Sequence, residues 1–266
     1  MKTFLEKITL SKNSRGCYIL DTVKGCLVCG KDKPLGCYGN CYALQIAKRY
    51  KLDFTHTVKR GFSRECDQLY LFDASDQEHI GDIVHQIRNI DMPFIRIGEM
   101  GDPSYNWEHT INVCEILSIA DKPIVIITKH WEVLTDNLLE KMQKLNICVN
   151  TSISALDSKQ EIAHRLNQYH RLKKFCKSVL RVVTCDFNTS IKDGIEKNEL
   201  QNELLVNSKV IDTVFRPDKK NMYIESGLIR AESVKFLGSK CLVSMHDKST
   251  FIGYCNDCPD MCGINL

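Results

Sequence analysis

"PIVIITKHWEVLTDNLLEKMQKLNICVNTSIS", residues 123 to 154, decides the fold. A β-branched run, a polar turn, a helix-like segment and a second β-branched run follow one another directly, which is one β-α-β unit. The same phrase extends in both directions. Upstream, "PFIRIGE" (93 to 99) precedes the helical pattern "YNWEHTINVCEILSIA", and "GCYIL" (16 to 20) precedes "CYALQIAKRY". Downstream, "NICVNTSIS" leads into "SKQEIAHRLNQYHRLKKF", "SVLRVVTCD" (178 to 186) into "KDGIEKNELQNELL", and "VIDTVF" (210 to 215) closes the series. Six such units predict an α/β fold with a parallel sheet and right-handed crossovers, either an open doubly wound sheet or a partial barrel. Both put chemistry at the carboxyl ends of the strands. In 51 to 92 the pattern is weaker: "QLYLFD" is an extra edge strand and "QEHIGDIVHQIRNI" a helix. After residue 216 it dissolves into a tail ending "YCNDCPDMCGINL".

The 266 residues, 43% hydrophobic and 26% charged, suit one or two globular domains with a sizeable core. No run of about twenty apolar residues occurs, and "MKTFLEKITLSKNSRG" has charges where a secretory signal needs an apolar centre, so a cytoplasmic protein without membrane contact is expected. The 14 cysteines then read as metal ligands rather than a disulfide framework. A net charge of +3 argues neither for nor against a polyanionic partner.

Cys26, Cys29, Cys37 and Cys41 share one glycine-punctuated loop after the first strand, where thiolates converge on an iron-sulfur cluster or a zinc ion. Cys255, Cys258 and Cys262 form a second constellation one ligand short of a closed site, with Cys17, Cys26 and Cys241 as candidates for the fourth. The isolated Cys66, Cys114, Cys148, Cys176 and Cys185 read as core.

The cysteine loop, the six units and "RIGE" ending the second strand together resemble the radical S-adenosylmethionine (SAM) superfamily over residues 16 to 216. The resemblance implies a partial (β/α)6 barrel over 1–216 and a C-terminal cysteine-rich extension over 217–266. It implies a 4Fe-4S cluster held by three loop cysteines, whose open iron binds SAM, with Gly98 and Glu99 receiving the SAM amino group. The family's usual C-x3-C-x2-C is replaced here by C-x2-C-x7-C-x3-C, with Asn40 where an aromatic is usual. "NCYA" is similar to the C-Y-A of spore-photoproduct-lyase-like and uncharacterised phage-encoded members. Alignment on it makes Cys29, Cys37 and Cys41 the ligands and leaves Cys26 for another site, such as the tail.

Further roles follow from the residues themselves and, for strand four, from the same resemblance. Asn150, Ser152 and Ser154 alternate along strand four at the family's ribose-binding position, although loop capping explains them as well. Arg181, inside an apolar strand, needs an anion, and the SAM carboxylate or a structural ion pair supplies it. Tyr42 and Tyr38 stack on the cofactor or pack the loop. Asp102, Lys129 and His130 at the rim contact substrate or cap helices. Arg165, Arg171, Lys173, Lys174 and Lys177 crowd one helix and face solvent or nucleic acid.

The expected activity is reductive SAM cleavage with hydrogen abstraction from a substrate, group transfer from SAM being a variant of it. An auxiliary iron-sulfur or zinc site in the tail and a flavodoxin or ferredoxin as reductant complete the expectation. The phage-like relatives place nucleic acid or a nucleobase ahead of a peptide or small metabolite as substrate. The alternative is a non-catalytic zinc or iron-sulfur module associated with nucleic acid.

Overall fold

The computed structural model describes residues 6–39, 41–62, 74–206 and 210–266. Asn40, Cys66 and the run "QLYLFD" lie outside these residues. All six expected parallel strands form, side by side in chain order. They are β2 (Tyr18–Leu20), β3 (Ile95–Ile97), β4 (Ile124–Thr128), β5 (Ile147–Ile153), β6 (Lys177–Thr184) and β7 (Val210–Val214). A short β1 (Ser11–Lys12) adds an antiparallel seventh strand at the β2 edge.

Helices α3 (Ala74–Asn89), α4 (Trp107–Leu117), α5 (Asp136–Met142), α6 (Lys159–Leu172) and α7 (Lys192–Leu205) fill the intervals. Alternate strand residues settle where each helix goes. Leu20, Ile95, Ile97, Ile124, Ile126, Ile147 and Val149 pack with Ile87, Ile111, Leu117, Leu139 and Met142 from α3, α4 and α5. Ile153, Leu180 and Val182 continue the same face beneath Ile162 and Tyr169 of α6 and Leu204 of α7. Each fully buried aliphatic side chain there contributes about 1.5–3 kcal/mol. Helix α6 starts where its sequence dictates: Ser158 and Glu161 form a reciprocal capping box.

The strand residues of opposite parity, Cys17, Ile19, Phe94, Val125, Cys148, Val179 and Ile211, pack against Cys255 and Cys262 of the tail. One face of the sheet is therefore covered by helices and the other by the C-terminal segment. Before reaching that face the tail forms a hairpin of β8 (Glu232–Phe236) and β9 (Ser239–Val243).

Two details differ from expectation. Helix α5 is shorter than its apolar pattern, because the backbone N-H of Leu134 turns to the Gln168 side chain, 3.4 Å away. In the weakly patterned region, Val58–Gly61 pairs with Glu6–Lys7 and Val23–Lys24 in a small separate sheet that anchors the chain just before the cysteine loop. No helix among the described residues is long and apolar enough to cross a membrane.

Candidate functional site

The cysteine loop leaves the carboxyl end of β2 and is fastened to the carboxyl end of β3. Gly25 N-H donates to Met100 O at 3.0 Å and Cys26 N-H to Phe54 O at 2.8 Å. Cys26 then caps the short helix α1 (Leu27–Lys31), and Cys41 caps α2 (Tyr42–Arg49), its sulfur accepting from Leu44 N-H at 3.5 Å. Gly36 (φ +79°) lets the loop fold over Cys41, since a β-carbon there would lie 2.1 Å from the Cys41 Cβ.

This path gathers three of the four sulfurs. Cys29 is in hydrogen-bonding contact with both Cys26 and Cys41. The Cys26 sulfur also meets Tyr105 Oη at 3.3 Å. The contact with Cys29 pulls the Cys26 thiol down to about 6 and the Cys41 thiol to about 7, while Cys29 itself is pushed up. Thiolate character at neutral pH is what metal ligation requires. Cys37 stands apart from this trio: it packs with Tyr38 and Ala155, and burial pushes its thiol up to about 11.

The trio is thus Cys26, Cys29 and Cys41, not Cys29, Cys37 and Cys41. The two-residue spacing places Cys26 and Cys29 one helical turn apart on α1, whereas Tyr38, in the left-handed region (φ 61°), turns the chain between Cys37 and Cys41. Cys26 is likewise committed to the loop and not to the tail. Among the described residues, no three His, Cys, Asp or Glu side chains stand in the arrangement of a single-ion site.

Gly98 and Glu99 lie beside the trio. Gly98 (φ +101°) passes under β4 so closely that a β-carbon would sit 2.3 Å from Ile127 O. Asp21, at the end of β2, accepts from Glu99 N-H at 2.7 Å and Met100 N-H at 3.0 Å. Burial pushes the Asp21 carboxyl up to about 6. Tyr42 Oη donates to Glu99 O at 2.5 Å, tying α2 to this turn. The Glu99 carboxylate forms an ion pair with Arg96, one helical-turn spacing back but on the same strand end.

The loop has a second anchor. Tyr38 Oη donates to Asp157 Oδ2 at 2.9 Å and accepts from Lys129 Nζ. Asp157 is also 2.6 Å from the guanidinium of Arg165. Burial holds the Lys129 ammonium below its ordinary value. Arg165 is therefore interior, and the basic residues of α6 do not form one exposed face. Arg171 contributes to an ion pair with Asp136 at 2.7 Å.

The remaining expected residues lie elsewhere. Asn150 donates to Cys262 O at 2.9 Å and accepts from Arg181, whose other partner is Thr213 Oγ1 at 3.0 Å. Both belong to the tail-covered face, so Arg181 is satisfied by neutral oxygens. Ser152 shares that face by strand parity, opposite Arg181. Ser154 serves the chain itself, donating to Val183 O at 2.7 Å and accepting from Leu156 N-H. Asp102 caps the turn at Ser104 and accepts from Thr128 Oγ1 and Lys129 N-H. His130, buried and held down at about 3 by desolvation, meets Thr151 Oγ1 at 3.0 Å. Cys114, Cys148 and Cys185 are core, and Cys176 is half-buried.

Sequence reasoning missed Arg96, Asp21 and Asp157. The first two carried a signal: a charge inside "PFIRIGE" and an acid ending "YILD" are the same kind of anomaly as Arg181.

Comparisons with protein-family models, curated proteins and solved structures give no match to this chain.

Proposed function

We propose that the chain is a radical SAM enzyme built on a partial (β/α)6 barrel, with Cys26, Cys29 and Cys41 holding a 4Fe-4S cluster. The observation that carries the reading is the three-plus-one arrangement of the loop. Three thiols touch at the carboxyl end of the sheet next to Gly98 and Glu99, while Cys37 is set apart. A saturated four-thiolate ion would draw in Cys37 as well, so the arrangement favours catalysis over the zinc-module alternative. Chain-order strands with every long helix on one face support the barrel, because a doubly wound sheet carries helices on both.

When bound, the cluster would supply the electron for reductive cleavage of SAM and so for hydrogen abstraction from a substrate. The chain's own part is placement. The thiolates of Cys26, Cys29 and Cys41 would hold the cluster. Asp21 and Tyr42 fix the turn at Glu99 through its backbone N-H and carbonyl, and its carboxylate, paired with Arg96, would receive the ligand's ammonium. The Tyr38–Asp157–Lys129 network keeps the loop from opening to water. Electrons come from a flavodoxin or ferredoxin.

Anaerobic reconstitution followed by dithionite-dependent formation of 5'-deoxyadenosine tests the reading. No nucleoside product from a fully iron-loaded protein that binds SAM would overturn it.

A further inference from the structure

Three more cysteines, Cys17, Cys255 and Cys262, pack together on the tail-covered face, and Cys258 lines the cavity beside them. Cys17, fully buried just before β2, is in thiol contact with Cys255 and close to Cys262. Cys255, Cys258 and Cys262 line a cavity of about 290 Å³ whose wall also carries Arg15, Arg96 and Arg181.

We propose that Cys17, Cys255, Cys258 and Cys262 are the four thiolates of a second, closed iron-sulfur cluster that fastens the C-terminal tail to the start of the sheet.

The backbone is arranged for it. Cys255 N-H donates to Arg15 O at 2.8 Å, two residues from Cys17, and Arg15 Nε donates to Gly253 O at 2.9 Å. At the other end, the Cys262 carbonyl accepts from Asn150, and Ile264 O accepts from Lys177 Nζ at 2.7 Å. Between them Met261 and Cys262 both adopt left-handed backbone (φ 45° and 53°), a local strain that persists only where the surroundings over-determine it.

Charge agrees. Four thiolates around a cluster leave net negative charge in a buried place, and the four guanidinium groups of Arg15, Arg96, Arg181 and Arg216 share its wall, with the carboxylates of Asp247 and Asp260 at its rim. Asp212 lines the same wall but is held by Thr184 Oγ1 and Thr250 Oγ1. The other candidates for the fourth thiolate are placed elsewhere: Cys26 is with Cys29 and Cys41, and Cys241 sits in the hairpin opposite Val234. The cavity beside these thiols gives a group larger than a single ion room, which suits a cluster. With four protein thiolates the centre offers substrate no open iron, so its work is to hold the tail and pass electrons.

The proposal stands whether or not the loop cysteines cleave SAM. In the full-length protein reconstituted anaerobically with iron and sulfide, two cubanes bring about eight irons per chain. Cys17→Ser should retain about half of them and lose one of two reduced-state EPR signals. Cys148→Ser, whose thiol meets Cys262 O at 3.7 Å and the Asn150 amide at 3.8 Å, should keep both. Full iron and both signals in Cys17→Ser would overturn the assignment. Should Cys17→Ser not fold, Cys29→Ala isolates the tail centre. Added cyanide should leave its EPR signal unchanged, and a cyanide-shifted signal, or zinc in place of iron, would refute a closed iron-sulfur site.

Discussion

Replacing Asp157 by asparagine tests the anchor that holds the cysteine loop. Its carboxylate and the Arg165 guanidinium approach to 2.6 Å with side-chain exposures of 0% and 1%, so neither charge has water to fall back on. Lys129 Nζ lies 3.8 Å from the same carboxylate and Tyr38 donates to it. Removing one partner of a buried pair typically costs about 3–5 kcal/mol, because the other charge remains buried. In a chain of this size each kcal/mol lowers Tm by about 2–4 °C, so Asp157→Asn should melt about 6–20 °C below the wild type. Circular dichroism gives Tm, and urea titration gives the free energy. Arg165→Met in the Asp157→Asn background should then cost less than it does alone, with an interaction energy of about 1–3 kcal/mol. The variant should also lose iron faster under chelator, since the anchor of Tyr38 on the Asp157 carboxylate is weakened. A loss below about 1 kcal/mol, or strictly additive effects, would refute the argument.

Three further outcomes follow from the same geometry. Gly98→Ala forces a β-carbon against Ile127 O in backbone that L-residues rarely adopt, and should destabilise by about 2–5 kcal/mol in urea titration. Single alanine variants of Cys26, Cys29 and Cys41 should each abolish SAM-responsive EPR, whereas Cys37→Ala should preserve it; the reverse pattern at Cys26 and Cys37 would restore the ligand set suggested by the C-Y-A alignment. Asp21, raised from an ordinary 3.8 to about 6, binds its proton more tightly folded than unfolded. Its stabilisation is therefore full below about pH 4 and lost as pH rises through about 6, by up to about 3 kcal/mol. Relative to wild type, Asp21→Asn should gain stability between pH 4 and pH 8, and an unchanged difference across that range would contradict the assignment.

The order of the strands, the helices between them and the position of the cysteine loop were legible in the sequence, because each rests on local periodicity and on the single handedness open to β-α-β crossovers. "PIVIIT" and "NICVNTSIS" can bury both faces only as neighbouring parallel strands, and the loop after the first strand then has to emerge at their carboxyl ends. Which cysteines meet there was decided by the tertiary structure. Local spacing brought Cys26 to Cys29, but only the left-handed turn at Tyr38 and its hold on Asp157, far along the chain, separated Cys37 from Cys41. Arg181 looked like an unpaired charge in an apolar strand until Asn150 and Thr213 were seen beside it. Cys17 and Cys255 stand at opposite ends of the sequence, and nothing periodic links them. Their contact exists because the tail packs onto the sheet face that the helices leave free, and that is settled by three-dimensional packing rather than by any pattern along the chain.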